Sequence, residues 1–144
     1  MNYTILPQNA DYMPSVERPN DAFLAQVKEQ GIRDLLSRFY LCLDKSAIRN
    51  IFPASDAKEM EEAAQISADF FIQICGGPAY FNQRHGMPKM RQRHAPFSIT
   101  AEGRLHWLIC FEDALKPLET SVKEEDLQSF WNYINVFSIM MINR

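Results

Sequence analysis

From Asp21 onward, apolar residues recur every three or four positions, and no alternating stretch of convincing length interrupts them. A first helical stretch is predicted from Asp21 to Gln30, broken or bent at Gly31. Ile32, Leu35, Leu36, Phe39, Tyr40 and Leu43 then form the apolar stripe of a second helix. Ile48, Ile51 and Phe52 suit a short helical turn that Pro53 closes. Asp56 with Glu59 reads as a capping box opening a long helix, with Met60, Ala63, Ser67, Phe70, Phe71 and Ile74 along one face. Gly76-Gly77-Pro78 ends it, since two glycines and a proline propagate a helix poorly. Residues 78–98 read as irregular, with one short helix around Met87–His94. Thr100 caps a helix running to Lys116, and Pro117 ends it. Ser121 and Glu124 make a second capping box, opening a last helix with Leu127, Phe130, Trp131, Ile134, Phe137 and Met141 on one face. The expected fold is all-α with five main helices. Pro7, Pro14 and Pro19 mark residues 1–19 as an extended arm outside the core.

A chain of 144 residues has room for one core. Apolar residues at 47% against 23% charged argue for a globular chain over a disordered one. The formal charge of −3 argues against a nucleic-acid partner. No apolar run approaches the roughly 20 residues needed to cross a bilayer, and the first residues lack the cationic and apolar parts of a signal peptide. The expectation is a cytoplasmic protein with no membrane association. Cys42, Cys75 and Cys110 stand far apart without a CxxC motif, so they are expected to be buried thiols acting as small hydrophobes.

Hydrolytic chemistry has little support. There is no HExxH, no GxSxG and no carboxylate cluster at ligand spacing, and Cys110 one turn after His106 lacks an orienting acid. One contrast remains. His94 follows the basic run Lys89-Met90-Arg91-Gln92-Arg93, within a chain whose helices are rich in Phe, Met and Trp. One imidazole for iron, cations for propionates and hydrocarbon for a porphyrin are what a haem needs. The alternative from composition alone is a surface histidine in a basic loop.

Three strings bear on that choice: Gly76-Gly77-Pro78-Ala79-Tyr80; Arg84-His85-Gly86-Met87-Pro88-Lys89-Met90-Arg91-Gln92-Arg93-His94-Ala95-Pro96-Phe97; and Trp107 on the next helix. With Phe39-Tyr40 and Ile51-Phe52-Pro53 upstream, they resemble the group II truncated haemoglobins over roughly residues 20–142. The resemblance implies a truncated globin domain over 20–144, a two-over-two helical sandwich around haem b, preceded by the extension 1–19. It makes His94 the proximal iron ligand. Tyr40 and Trp107 become hydrogen-bond donors to a diatomic ligand (O2, NO or CO); their other reading is as core residues, Tyr40 bonded to a backbone carbonyl. Phe52, Ala63, Ser67, Phe70 and Phe97 are implied as haem contacts, with Arg93 the best propionate partner and Lys89, His85 and Tyr80 further ones. No histidine precedes position 85, so none gates the pocket from the earlier helices. The implied function is O2, NO or peroxide chemistry or sensing in place of bulk transport, with turnover as a nitric oxide dioxygenase or peroxidase needing an external reductase. A monomer or weak homodimer is expected. The competing reading is a cofactor-free helical interaction module with globin-like packing.

Overall fold

The computed structural model describes residues 1–7 and 15–144. Its α-helices are α1 (Asp21–Asp44), α2 (Ala57–Ile74), α3 (Tyr80–His85), α4 (Met90–His94), α5 (Ala101–Leu115) and α6 (Glu124–Met141), with 3-10 turns at Arg49–Ile51 and Lys116–Thr120. No strand occurs among the described residues. The fold is all-α: α1 packs most extensively on α2 and also on α5, and α6 closes the core against α1 and α5. Stacked rings knit the layers together. Phe39 lies on Phe111 with centroids 3.7 Å apart, Phe23 on Phe130 at 4.7 Å, and Phe71 reaches Phe130 at 5.6 Å.

Local signals explain most boundaries. The Asn20 side chain caps α1 by accepting from Phe23 N–H, Asp56 caps α2 by accepting from Glu59 N–H, and Thr100 caps α5 by accepting from Gly103 N–H. Gly76 takes φ +97 past the end of α2, a conformation that favours glycine.

Four expectations need correction. The break in the first helical region falls at Lys28, with φ +64, and not at Gly31. Gly31 instead makes room, since a Cβ there would stand 3.0 Å from the Val27 Cβ. The segment after Gly77 holds two short helices, α3 and α4, where one was expected. Pro117 does not end the helical path, because it sits at the start of a 3-10 turn, where its missing N–H costs nothing. Ser121 and Glu124 form no capping box: Lys123 is the N-cap and makes no side-chain cap. Three acidic residues in the first turn of α6 complement the helix dipole there.

The thiol expectation also fails in part. Cys42 on α1 and Cys110 on α5 form a disulfide, with Cα atoms 5.5 Å apart, whereas Cys75 is a buried free thiol. The sequence spacing of 68 residues hides this pair, which only the crossing of α1 and α5 brings together.

The first residues lie along α6. Asn2 exchanges hydrogen bonds with Gln128, Trp131 Nε1 and Asn135 Nδ2 donate to Thr4 O, and Leu6 N–H donates to Asn135 Oδ1. Residues 8–14 of the expected arm, Pro14 among them, lie outside the described residues.

A buried carboxylate organises the α2–α3 corner. Asp69 accepts from Arg33 and Arg84, each at 2.9 Å, and its Oδ2 lies 3.2 Å from His85 Nε2. Burial alone would raise its pKa, but the Arg33 and His85 hydrogen bonds and the two guanidinium charges hold it below the usual carboxylate value. A depressed folded pKa means that ionised Asp69 stabilises the fold above the unfolded carboxylate pKa, and that this contribution is lost as pH falls through the folded one. Asp69→Asn should therefore lower the urea midpoint at pH 7 and pH 5 alike. The gap from wild type should narrow below about pH 4. A gap independent of pH down to 3 contradicts this.

Candidate functional site

The helices enclose a cavity of about 280 Å³ between the α1–α2 pair, the α4 segment and the α5–α6 pair. Phe39, Phe52, Phe70, Phe71, Phe81 and Phe137 line it, joined by Ile48, Ile51, Ile66, Ile99, Met90 and Met141. A wall so rich in rings and branched aliphatics suits a flat apolar guest. Few polar groups reach it: Tyr40, Ser67, Arg93, His94, Arg104, Trp107 and Ser138.

His94 ends α4, and its Nδ1 lies 2.6 Å from the Met90 carbonyl oxygen one turn back. A carbonyl can only accept, so Nδ1 is the donor in this contact. In the neutral ring this leaves the lone pair on Nε2, the arrangement of a metal-binding imidazole oriented by the backbone bond at its other nitrogen.

Tyr40 and Trp107 come from crossing helices, α1 and α5, and Phe39 bridges them with edge-on contacts at 5.5 and 5.4 Å. The Tyr40 hydroxyl is 2.8 Å from Ser67 Oγ on α2. Burial raises the Tyr40 pKa, outweighing the opposite pull of Ser67, so the phenol keeps its proton and is a donor at neutral pH. Its partner is the Ser67 hydroxyl, and not a backbone carbonyl. Among the described residues the Trp107 indole N–H has no hydrogen-bond partner, which leaves it available to a guest in the cavity.

Of the other residues singled out in the sequence, Phe52, Ser67, Phe70 and Arg93 also line the cavity. Ala63, Tyr80, His85, Lys89 and Phe97 do not, and each has a reason. Ala63 stands one turn before Ser67 on α2, where its short side chain does not reach the wall. Tyr80 packs its ring against the guanidinium groups of Arg33 and Arg84, at 5.8 and 4.6 Å from its ring centre. His85 is drawn to Asp69. Lys89 is an exposed N-cap of α4 with φ +40. The Phe97 carbonyl is held by Asn143, beyond the cavity wall. Arg93 is largely committed as well: its Nε donates to Pro88 O, and its Nη2 to His85 O and Met87 O, so it ties the α3–α4 loop together and leaves Nη1 over.

Among the wall residues that sequence reasoning missed, Arg104 is the charged one. It is 3% exposed, and its guanidinium donates to Ser138 Oγ, Leu6 O, Asn135 O and Asn135 Oδ1 at 2.6–2.8 Å. Burial pushes its pKa down to about 10, so it remains a cation at neutral pH. The available signal was its place one turn before Trp107 on the same face of α5.

Comparison with known proteins agrees with this geometry. The family of bacterial-like globins matches residues 26–143. Group 2 truncated hemoglobin YjbI of Bacillus subtilis (strain 168) is 33% identical over 101 residues, covering 68% of this chain and 74% of that one. Among solved structures, phosphate-bound Hell's gate globin IV superposes with a TM-score of 0.86 at 34% identity, covering 98% of this chain and 87% of that one. The truncated oxygen-avid haemoglobin from Bacillus subtilis superposes with a TM-score of 0.75 at 29% identity, covering 85% and 99%. A cavity walled by aromatic rings, with one oriented imidazole and two donors on its wall, thus sits in a chain that belongs to the bacterial-like globins, in the group II truncated haemoglobin family.

Proposed function

We propose that this globin holds haem b in the cavity, with His94 Nε2 as the proximal iron ligand, and binds dioxygen and related diatomics for chemistry or sensing. The observation that carries the reading is the pairing, around one apolar cavity, of an imidazole oriented by its backbone bond with two donors from other helices, Tyr40 and Trp107. Haem, when bound, supplies an iron that takes small diatomic ligands and exchanges electrons. The chain supplies the rest. Phe52, Phe70 and their neighbours give the porphyrin a dry, apolar bed. Nη1 of Arg93, the donor left over by the loop carbonyls, is suited to a propionate. Lys89, His85 and Tyr80 are further propionate candidates only if their side chains swing inward.

Tyr40 and Trp107 donate toward the ligand, and Ser67, which can donate and accept, holds the Tyr40 hydroxyl. Two donors favour slow release of dioxygen, which suits NO or peroxide chemistry, or sensing, better than bulk transport. Turnover in either reaction draws electrons from an external reductase. The globin domain spans 20–144 with residues 1–19 as an N-terminal extension, and the protein works in the cytoplasm as a monomer or weak homodimer. Titration of the purified apoprotein with haem tests the cofactor: one equivalent should be taken up, with a Soret band and quenched tryptophan fluorescence. Failure to take up haem overturns the reading.

A further inference from the structure

The disulfide that joins α1 to α5 sits beside the two donors. Cys42 lies two residues after Tyr40, and Cys110 lies three residues after Trp107, so the bond spans the helix crossing that sets the distance between the hydroxyl and the indole. On its outer side the bond borders a surface groove lined by Arg38, Lys45, His106 and Asp113, together with the exposed Leu41 and Ile109. Cys110 is 3% exposed, whereas Cys42 is partly open to that groove. The third cysteine takes no part, since Cys75 is fully buried at the end of α2.

We propose that Cys42–Cys110 is an exchangeable disulfide, reached from this groove by low-molecular-weight thiols, and that its reduction loosens the α1–α5 crossing and lets the distal ligand escape faster. The inference rests on the ligand-binding function proposed above. A thiolate attacks the accessible Cys42 sulfur, forms a mixed disulfide there and expels Cys110 as thiolate. A second thiolate attacks the outer sulfur of that mixed disulfide and releases Cys42. Two external thiols are thereby oxidised to one disulfide, the two electrons pass to the protein pair, and each protein thiolate takes a proton from water. Reoxidation is the same sequence run backward with a low-molecular-weight disulfide.

Without the bond, α1 and α5 remain in contact through Phe39 on Phe111 and through Arg38, which donates to Ala114 O at 2.9 and 3.2 Å. The pocket is therefore kept but less tightly defined. The expected change is in ligand escape, by about fivefold, the lower end of ordinary coupling between two sites.

The test uses the haem-loaded full chain with and without dithiothreitol or glutathione. Alkylation in denaturant, followed by intact mass, counts the thiols, and stopped-flow displacement gives the dioxygen dissociation rate. Reduction should raise the alkylated thiols from one to three and speed dissociation about fivefold. The Cys42→Ser/Cys110→Ser variant should release ligand at the fast rate and ignore the reductant; if it does not fold, reduced wild type supplies the same comparison. A disulfide that resists both thiols, or equal dissociation rates before and after reduction in protein with a normal Soret band, overturns this proposal alone. A chain that shows no Soret band overturns the proposed function, and the ligand-release part of this inference with it.

Discussion

Replacing Tyr40 with phenylalanine should speed dioxygen release from the haem-loaded protein by about ten- to a hundredfold. The substitution keeps the ring, its edge-on contact with Phe39 and its packing near Phe52, and removes only the hydroxyl that faces Ser67 and the cavity. A hydrogen bond to a ligand carrying partial negative charge contributes about 1.5–3 kcal/mol, and each 1.4 kcal/mol is a factor of ten. Trp107→Phe should act in the same direction, because it removes an N–H with no other partner among the described residues. Since both donors address one ligand, the double variant should release faster than either single one, but by less than the product of the two effects. Stopped-flow displacement of dioxygen by carbon monoxide measures all three. A Tyr40→Phe rate within twofold of wild type would remove the phenol from the ligand's surroundings.

Arg104→Leu should lower the thermal midpoint by roughly 10 °C, which follows from a loss of about 3 kcal/mol, the cost of stranding buried acceptors, in a domain of this size. The substitution removes four donated hydrogen bonds and takes the donor from Leu6 O and Ser138 Oγ, while Asn135 O still accepts from Ser138 Oγ and Asn135 Oδ1 from Leu6 N–H. It also unfastens the first residues from the body of the protein, because Arg104 holds Leu6 O while Asn135 holds Thr4 and Leu6. Arg104→Lys should recover part of the loss: a lysine keeps the charge but cannot span four acceptors in one plane. Circular dichroism at the helix band reads both variants. A midpoint for Arg104→Leu within 2–3 °C of wild type would mean that water satisfies these acceptors as well as the guanidinium does.

The helices were legible because their signals are local. Asp56, Thr100 and the two glycines after Cys75 act within a turn of themselves, and the apolar stripe from Ile32 to Leu43 needs no knowledge of its partner. The same holds for the cavity residues that sit on such stripes, Tyr40, Ser67, Phe70 and Trp107. What could not be read depends on pairings between distant segments. The resemblance implies His85 as a propionate contact, but Asp69, brought across from α2, holds its ring. Arg93 looked like a free cation because nothing in the sequence says that the loop carbonyls of residues 85–88 turn toward it. Cys42 and Cys110 gave no sign of pairing, and Arg104 is an ordinary arginine until α6 and the first residues close over it. Capping also misled at Ser121, where the chain enters α6 from a 3-10 turn and the serine caps nothing.

The most direct test of the central claim is the absorption spectrum of the reduced protein before and after carbon monoxide, in wild type and in His94→Ala. The account predicts a strong Soret band in wild type that shifts on adding carbon monoxide. It also predicts a weak or altered band in His94→Ala that free imidazole restores, because the added ring replaces the nitrogen that α4 presents to the cavity. A wild-type protein that stays colourless after haem is supplied, or a His94→Ala spectrum identical to wild type, would contradict it.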